Sequence, residues 1–161
     1  SQVLGEVGQG CYLAQKALSV NRTQQIPLCL GQAQRALEMT IDYAKQRVTF
    51  GQPLSRRQAV QWMLVDSAIE TNAVRLMMYH LAWRIDQGDD PRQEVPMAKT
   101  FANEMGTRVL DRCIQIHGAT GVSKDLPLER MYRDIRSLRI TEGGTEVQRW
   151  VLARNLLRTA S

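Results

Sequence analysis

The 161-residue chain is short of the residues that build metal and redox centres. Its three cysteines, Cys11, Cys29 and Cys113, are odd in number and lack zinc-ligand spacing, so no disulfide framework or zinc site is expected. That usage fits a reducing compartment. The only histidines are His80 and His117, and the residues three before them are Met77 and Ile114. A di-iron centre in a helical bundle needs Glu-x-x-His pairs, so that chemistry is excluded and no metal is expected. No apolar run approaches the roughly 18 residues of a membrane span. Residues 1–10 show neither the charged nor the apolar part of a secretory signal. No nucleophile motif marks a Ser–His–Asp triad. At 43% hydrophobic and 23% charged residues, low-complexity disorder and collagen are ruled out as well.

A two-residue alternation is also missing, and no internal repeat is present. Helix breakers cluster around residues 5–10, 51–53, 88–91, 118–121 and 143–144. Between them apolar residues recur at steps of three and four. One stripe runs Leu30, Ala33, Leu37, Ile41, Ala44 and Val48. A second runs Val60, Leu64, Ser67, Thr71, Val74, Met78, Leu81 and Ile85, and a third Ala98, Ala102, Met105, Val109, Cys113 and Ile116. These predict three helices of roughly 20 to 30 residues, each long enough to span a bundle. Shorter helices are predicted over 11–20 and 126–138, and a last one from Thr145 to about Leu157. Ser55 and Gln58, and Thr145 and Gln148, have capping-box spacing. Asp90 precedes Pro91 as a cap before a first-turn proline. The fold class is all-α: an antiparallel helical bundle with extra short helices. The chain does not open on Met; residues 1–10 read as the tail of a preceding segment and 11–161 as the bundle domain.

The net charge of +5 suits a phosphate-bearing partner: nucleic acid, a nucleotide cofactor or coenzyme A. Arg130, Arg133, Arg136 and Arg139 recur every third residue, but Glu129 and Asp134 are interleaved and no aromatics alternate with them. An ion-paired or solvated helix face explains this row better than a nucleic-acid track, and no nucleic-acid partner is expected.

Three segments carry sharper signals. Arg47-Val-Thr-Phe50-Gly51-Gln-Pro-Leu54, followed by Gln58, places a charge and an aromatic at a rigid corner; by itself it is a decorated turn. Gln115-Ile-His117-Gly118-Ala119-Thr-Gly121 lets backbone approach a ligand closely, or simply ends a helix. Thr141-Glu142-Gly143-Gly144-Thr145, with Gln148 and Arg149 beyond, puts a carboxylate on a flexible loop before a helix start. That arrangement suits a general base or, more plainly, a capping loop.

In this order the segments resemble the C-terminal helical domain of acyl-CoA dehydrogenases. The resemblance covers essentially the whole chain. It includes the opening Leu4-Gly-Glu-Val-Gly-Gln-Gly10, the corner from Arg47 to Gln58 and the run Leu128-Glu-Arg130-x-x-Arg133-Asp134. These flavoenzymes oxidise an acyl-CoA thioester to the trans-2-enoyl-CoA. A carboxylate removes the α proton and the β hydride passes to flavin. The family's usual base falls on Glu142, whose own N–H, with a flavin hydroxyl, would hold the thioester oxygen. A subset carries its base on an earlier helix, at the position of Asn21, which has no carboxylate. The resemblance places FAD contacts on Arg47, Phe50, Gln115, Gly118 and Ala119, across a subunit interface, with Gly144 beside the flavin. It implies a homo-oligomer, a dimer or tetramer, and an acceptor such as an electron-transfer flavoprotein. The cytoplasm of a bacterium or the mitochondrial matrix both fit. Where the family has Thr after Glu-Gly, an aromatic before Glu, a second Gly after His and an Asp after Leu18, this chain has Gly144, Thr141, Ala119 and Ser19. The domains that precede this one in the family supply much of the substrate and flavin site. The chain alone is therefore expected to be inactive. The competing reading is a non-catalytic helical oligomerisation module that kept the scaffold.

Overall fold

The computed structural model describes residues 2–158. Helices α1 (Gly10–Gln46), α2 (Gln58–Asp86) and α3 (Glu94–His117) are long; α4 (Ala119–Val122), α5 (Leu128–Leu138) and α6 (Thr145–Arg158) are short. Helix α3 packs against α1, α2, α5 and α6 and is the axis of the bundle. The all-α bundle predicted from periodicity is what is observed. All six residues of the third stripe are buried, as are Leu30, Ala33, Leu37 and Ala44 on α1 and Val74 and Leu81 on α2. Ser67 and Thr71 belong to the same buried face because their hydroxyls donate into their own helix, to Met63 O at 2.7 Å and Ser67 O at 2.6 Å.

Several local expectations fail, each for a definable reason. The helix predicted over 11–20 and the one through Leu30 are one 37-residue helix, α1, running through Pro27. Pro27 is exposed, and residues four apart share a face. The Thr23 carbonyl that it cannot serve therefore lies toward the half-buried to exposed side of α1 rather than in the core. Val48 and Ile85 are exposed rather than core, because α1 stops at Gln46 and Ile85 lies in the last turn of α2. None of the three predicted caps forms. Ser55 lies in a 3₁₀ turn (Leu54–Arg56), so α2 starts only after Arg57. Asp90 pairs with Arg92 at 2.6 Å, and α3 starts four residues beyond it. Thr145 is already inside α6, and the Gln148 amide reaches carbonyls of the preceding loop instead of a free N–H.

A small hairpin was not visible as alternation because its strands, β1 (Val48–Thr49) and β2 (Gln52–Pro53), have two residues each. They pair antiparallel, Val48 with Pro53 and Thr49 with Gln52. The turn residues Phe50 and Gly51 have φ of 49° and 79°, the pair of positive values that a tight two-residue hairpin requires. The arginine row, on α5 and at its C-cap Arg139, is mostly ion-paired. Arg133 bonds Glu129 at 2.9 Å, Arg130 lies 3.7 Å from Asp134, and Arg139 reaches Glu104 at 3.0 Å. Among the described residues no helix is long and apolar enough to cross a membrane.

Candidate functional site

Only two non-glycine residues among those described have positive φ: Phe50 at 49° and Glu142 at 56°. Each was singled out from sequence, and they lie at opposite ends of the bundle. Left-handed backbone in a side-chain-bearing residue is disfavoured by roughly 1–2 kcal/mol, so the surrounding structure must impose it.

At one end the loop from Arg139 to Gly144 joins α5 to α6, and side chains from three helices gather its carbonyls. Lys99 Nζ on α3 donates to Thr141 O at 2.8 Å and Gly143 O at 2.6 Å. Arg22 Nε on α1 donates to Glu142 O at 2.8 Å. Gln148 Nε2 on α6 approaches Gly143 O at 3.2 Å and Glu142 O at 3.4 Å. Gln25 Nε2 holds the Thr141 hydroxyl at 3.0 Å, and Asn103 Nδ2 donates to Leu138 O at 2.8 Å. Gly143, at φ 88°, has a backbone that strains any side chain, and a Cβ there would lie 2.7 Å from Gln148 Nε2 and displace the amide that binds the loop. The Glu142 carboxylate is half-buried and makes no hydrogen bond or ion pair among the described residues. Its acceptor capacity is unspent. Lys99 is fully buried. Burial first, and then the positive charge of Arg22, push its ammonium down to about 8, against the opposing pull of Glu142. A cleft of about 290 Å³ adjoins this end, with Ser19, Arg22 and Gln148 in its wall. Asn21 is exposed on α1.

At the other end, the C-terminus of α3 meets the hairpin across a cleft of about 450 Å³. Arg47, Gly118 and Ala119 all line it, so three of the sequence-selected residues come together there. His117 is part of the frame: it is buried, stacks on Tyr43 at 4.2 Å, and its Nδ1 lies 2.8 Å from Cys113 O. Gly118 has φ 62° and ends α3. Gln115 is exposed one turn earlier. Phe50 is 97% exposed at the hairpin tip. The Arg57 guanidinium sits 5.7 Å from its ring and bonds Thr49 O at 2.7 Å, bracing the turn. The Arg47 guanidinium makes no hydrogen bond or ion pair among the described residues. An unspent guanidinium, an aromatic ring held out on a rigid turn and close-approach glycine backbone together suit a ligand with phosphates and aromatic rings. FAD has that chemistry, and the residues present fit it.

The two groups are not neighbours within one chain. From Lys99 to His117, α3 rises about 27 Å at 1.5 Å per residue. Glu142 and Gly144 stand at one end; Arg47, Phe50, Gln115, Gly118 and Ala119 stand at the other.

Residues 8–157 match the family profile described as "Acyl-CoA dehydrogenase, C-terminal domain". The chain belongs to the acyl-CoA dehydrogenase family. It is 44% identical over 156 residues to (R)-benzylsuccinyl-CoA dehydrogenase of Thauera aromatica, covering 96% of this chain and 38% of that protein. It superposes on butyryl-CoA dehydrogenase from Megasphaera elsdenii with a TM-score of 0.92 at 35% identity, over 96% of this chain and 40% of that one. A solved structure described as the electron transferring flavoprotein of Acidaminococcus fermentans, from work on flavin-based electron bifurcation, gives the same TM-score and identity. It matches over 96% of this chain and 41% of its own length. The chain thus spans about two fifths of the length of these acyl-CoA dehydrogenase relatives.

The sequence reading missed Arg22, Gln25, Lys99 and Asn103. A signal existed for two of them. Val95, Lys99, Asn103, Gly106 and Leu110 form a second row at steps of three and four on α3, and all five are buried. A lysine and an asparagine in register with an apolar row mark a polar site inside the core.

Proposed function

We propose that this chain is the part of an FAD-dependent acyl-CoA dehydrogenase that carries the catalytic base, Glu142. The observation that carries the reading is the Glu142 loop. A carboxylate without a partner is held in a left-handed conformation by side chains from α1, α3 and α6. In the reaction, the Glu142 carboxylate takes the α proton of the acyl thioester while the β hydride leaves and the trans-2 double bond forms. FAD, when bound, supplies the hydride acceptor. The Glu142 N–H donates to the thioester oxygen as negative charge develops there. Gly144 would stand beside the flavin, and electrons would leave to an electron-transfer flavoprotein. By itself the chain is expected neither to retain FAD tightly nor to turn over. The test uses the longer FAD-loaded protein containing this chain, with a panel of acyl-CoAs under anaerobic conditions. One chain length should bleach the visible flavin band. A bound flavin that no acyl-CoA bleaches would overturn the substrate class.

The corner cleft would hold the adenosine and pyrophosphate side of a neighbouring copy's FAD, through Arg47, Phe50, Gln115, Gly118 and Ala119. The separation of the two groups of residues along α3 supports this sharing. Arg47→Ala removes a charge-assisted bond to phosphate, on the order of 1.5–3 kcal/mol, so FAD should dissociate roughly tenfold to a hundredfold more readily. Fluorescence titration of released flavin measures this. Unchanged retention would reject the role.

A second observation supports a homo-oligomer. On α2, Trp62, Ile69, Leu76 and Trp83 recur every seven residues, with Val65 and Tyr79 beside them, and all are exposed. That is the spacing of a helix-packing seam, on the side away from the buried Ser67–Thr71–Val74–Leu81 row. Ile69→Glu combined with Leu76→Glu should about halve the assembled mass by light scattering without loss of helical circular dichroism. An unaltered mass would show that the seam faces something other than a second copy.

A further inference from the structure

The Glu142 loop has a polarity that the reaction scheme alone does not require. Three successive carbonyls, of Thr141, Glu142 and Gly143, are taken by buried or half-buried donors. The three successive amides of Glu142, Gly143 and Gly144 donate to no protein group among the described residues. The two facts are linked by peptide geometry. In a trans peptide the C=O and the following N–H point in opposite directions, and no peptide bond among the described residues is cis. Holding the Thr141 carbonyl against Lys99, in the core, turns the Glu142 N–H away from the core. Holding the Gly143 carbonyl does the same for the Gly144 N–H.

Lys99 is suited to that work. It enters from α3 with no exposed surface, and both oxygens flanking Glu142 lie within 2.8 Å of its Nζ. A cation on a peptide oxygen also polarises that peptide, so its N–H becomes a stronger donor. The charged groups that face Lys99 are Arg22 from α1 and Glu142 from the loop itself.

We propose that Lys99 is a positioning residue: through the Thr141–Glu142 peptide it aims and strengthens the amide that receives the developing negative charge of the thioester oxygen. This rests on the acyl-CoA reading of the site. Lys99 touches no reacting atom; it acts through Glu142. A lysine kept only to fill the core or to close the end of α5 would affect folding and flavin content. It would not selectively affect the ionisation of bound substrate.

The test compares Lys99→Met, which keeps the stem without the charge, and Lys99→Arg, which keeps the charge, in the FAD-loaded protein. Lys99→Gln replaces the Met variant if that one does not accumulate folded. The probe is a 3-thiaacyl-CoA of the chain length that bleaches the wild-type flavin; it can lose its α proton but has no β hydride to give. Its ionisation is followed by the long-wavelength charge-transfer band. Lys99→Met should bind the probe within about threefold of wild type, yet require roughly one pH unit more to ionise half of it, a tenfold loss of enolate at fixed pH. Lys99→Arg should recover most of that loss. Hydrogen exchange without any ligand gives a second readout at the two bonded amides that flank the loop, Thr141 N–H on Ser137 O and Thr145 N–H on Arg139 O, both at 3.1 Å: Lys99→Met should speed their exchange by at least about tenfold, with the middle of α3 unchanged. An unshifted ionisation pH in Lys99→Met, or unaltered exchange at Thr141 and Thr145, overturns the role of Lys99. A wild-type flavin that no acyl-CoA bleaches overturns the acyl-CoA reading instead, and exchange still decides whether Lys99 aims the loop.

Discussion

Glu142→Gln in the FAD-loaded protein should leave the flavin bound and its spectrum intact while reduction by acyl-CoA falls by roughly 10⁴-fold, the upper range for loss of a general base. Gln has nearly the shape of Glu. It keeps the backbone N–H and the carbonyl that Arg22 holds at 2.8 Å, so binding of the thioester should survive. What is lost is the lone pair that accepts the α proton. The alternative family position offers no replacement, since Asn21 is an exposed amide. Stopped-flow absorbance of the flavin band under anaerobic conditions measures the effect. Reduction at the wild-type rate would move the base elsewhere, and Glu142 would then be a strained loop residue with some other purpose.

The bundle was legible because its signal is redundant. On α3 the stripe from Ala98 to Ile116 is buried at every predicted position, and one misread residue would not have altered the period. The ends of the helices were not legible. A capping pattern is only a local preference, and at Ser55, Asp90 and Thr145 competing local contacts took its place: a 3₁₀ turn, the pair with Arg92 and the Gln148 bond to Gly143 O. Pro27 illustrates the same point inside a helix: with one face exposed, α1 continues through it. The hairpin at Phe50 escaped because two residues per strand cannot display a period of two. What sequence did supply there was the Phe-Gly pair itself, where the two positive φ values fall.

The candidate site was legible as a set of motifs but not as an arrangement. The motifs marked both ends, yet nothing in their spacing said that Glu142 and Gly118 stand at opposite ends of α3. Nor did it show that α1 reaches the loop through Arg22 and Gln25. Those contacts span more than a hundred residues of sequence, and only the packed bundle brings them together. Lys99 is the instructive miss. A charged residue in an apolar row is costly to bury without partners, and that cost is itself a reason to look for partners nearby. Here they are the carbonyls of the one loop that carries the proposed base.

The position of that loop relative to the rest depends on how closely α1, α3 and α5 approach, and Gly106 sets that approach. A glycine inside a helix is less favourable than alanine by about 1 kcal/mol, so replacing it would ordinarily stabilise. At Gly106 the reverse is expected. A Cβ there would overlap Cys29 Sγ on α1 and meet Ile135 Cδ1 and Cγ2 on α5 at 3.1 and 3.2 Å. Cys29 has nowhere to turn: it is fully buried and its thiol donates to Ala102 O at 2.9 Å. Burial pushes that thiol up to about 12, so it stays a protonated donor at any ordinary pH. Overpacking a close crossing costs about 1–3 kcal/mol, which outweighs the gain in helix propensity for Gly106→Ala and leaves Gly106→Val worse still. Urea denaturation should show a lower midpoint with an unchanged slope. Pairing Gly106→Ala with Cys29→Ala removes the sulfur that the new methyl strikes. The double variant should therefore be more stable than the sum of the two single effects. If Gly106→Ala alone raised the midpoint, α1 and α3 would have room to part. Arg22 and Lys99 would then grip the Glu142 loop from helices free to shift, and a loop held that loosely could not impose the backbone conformation seen at Glu142.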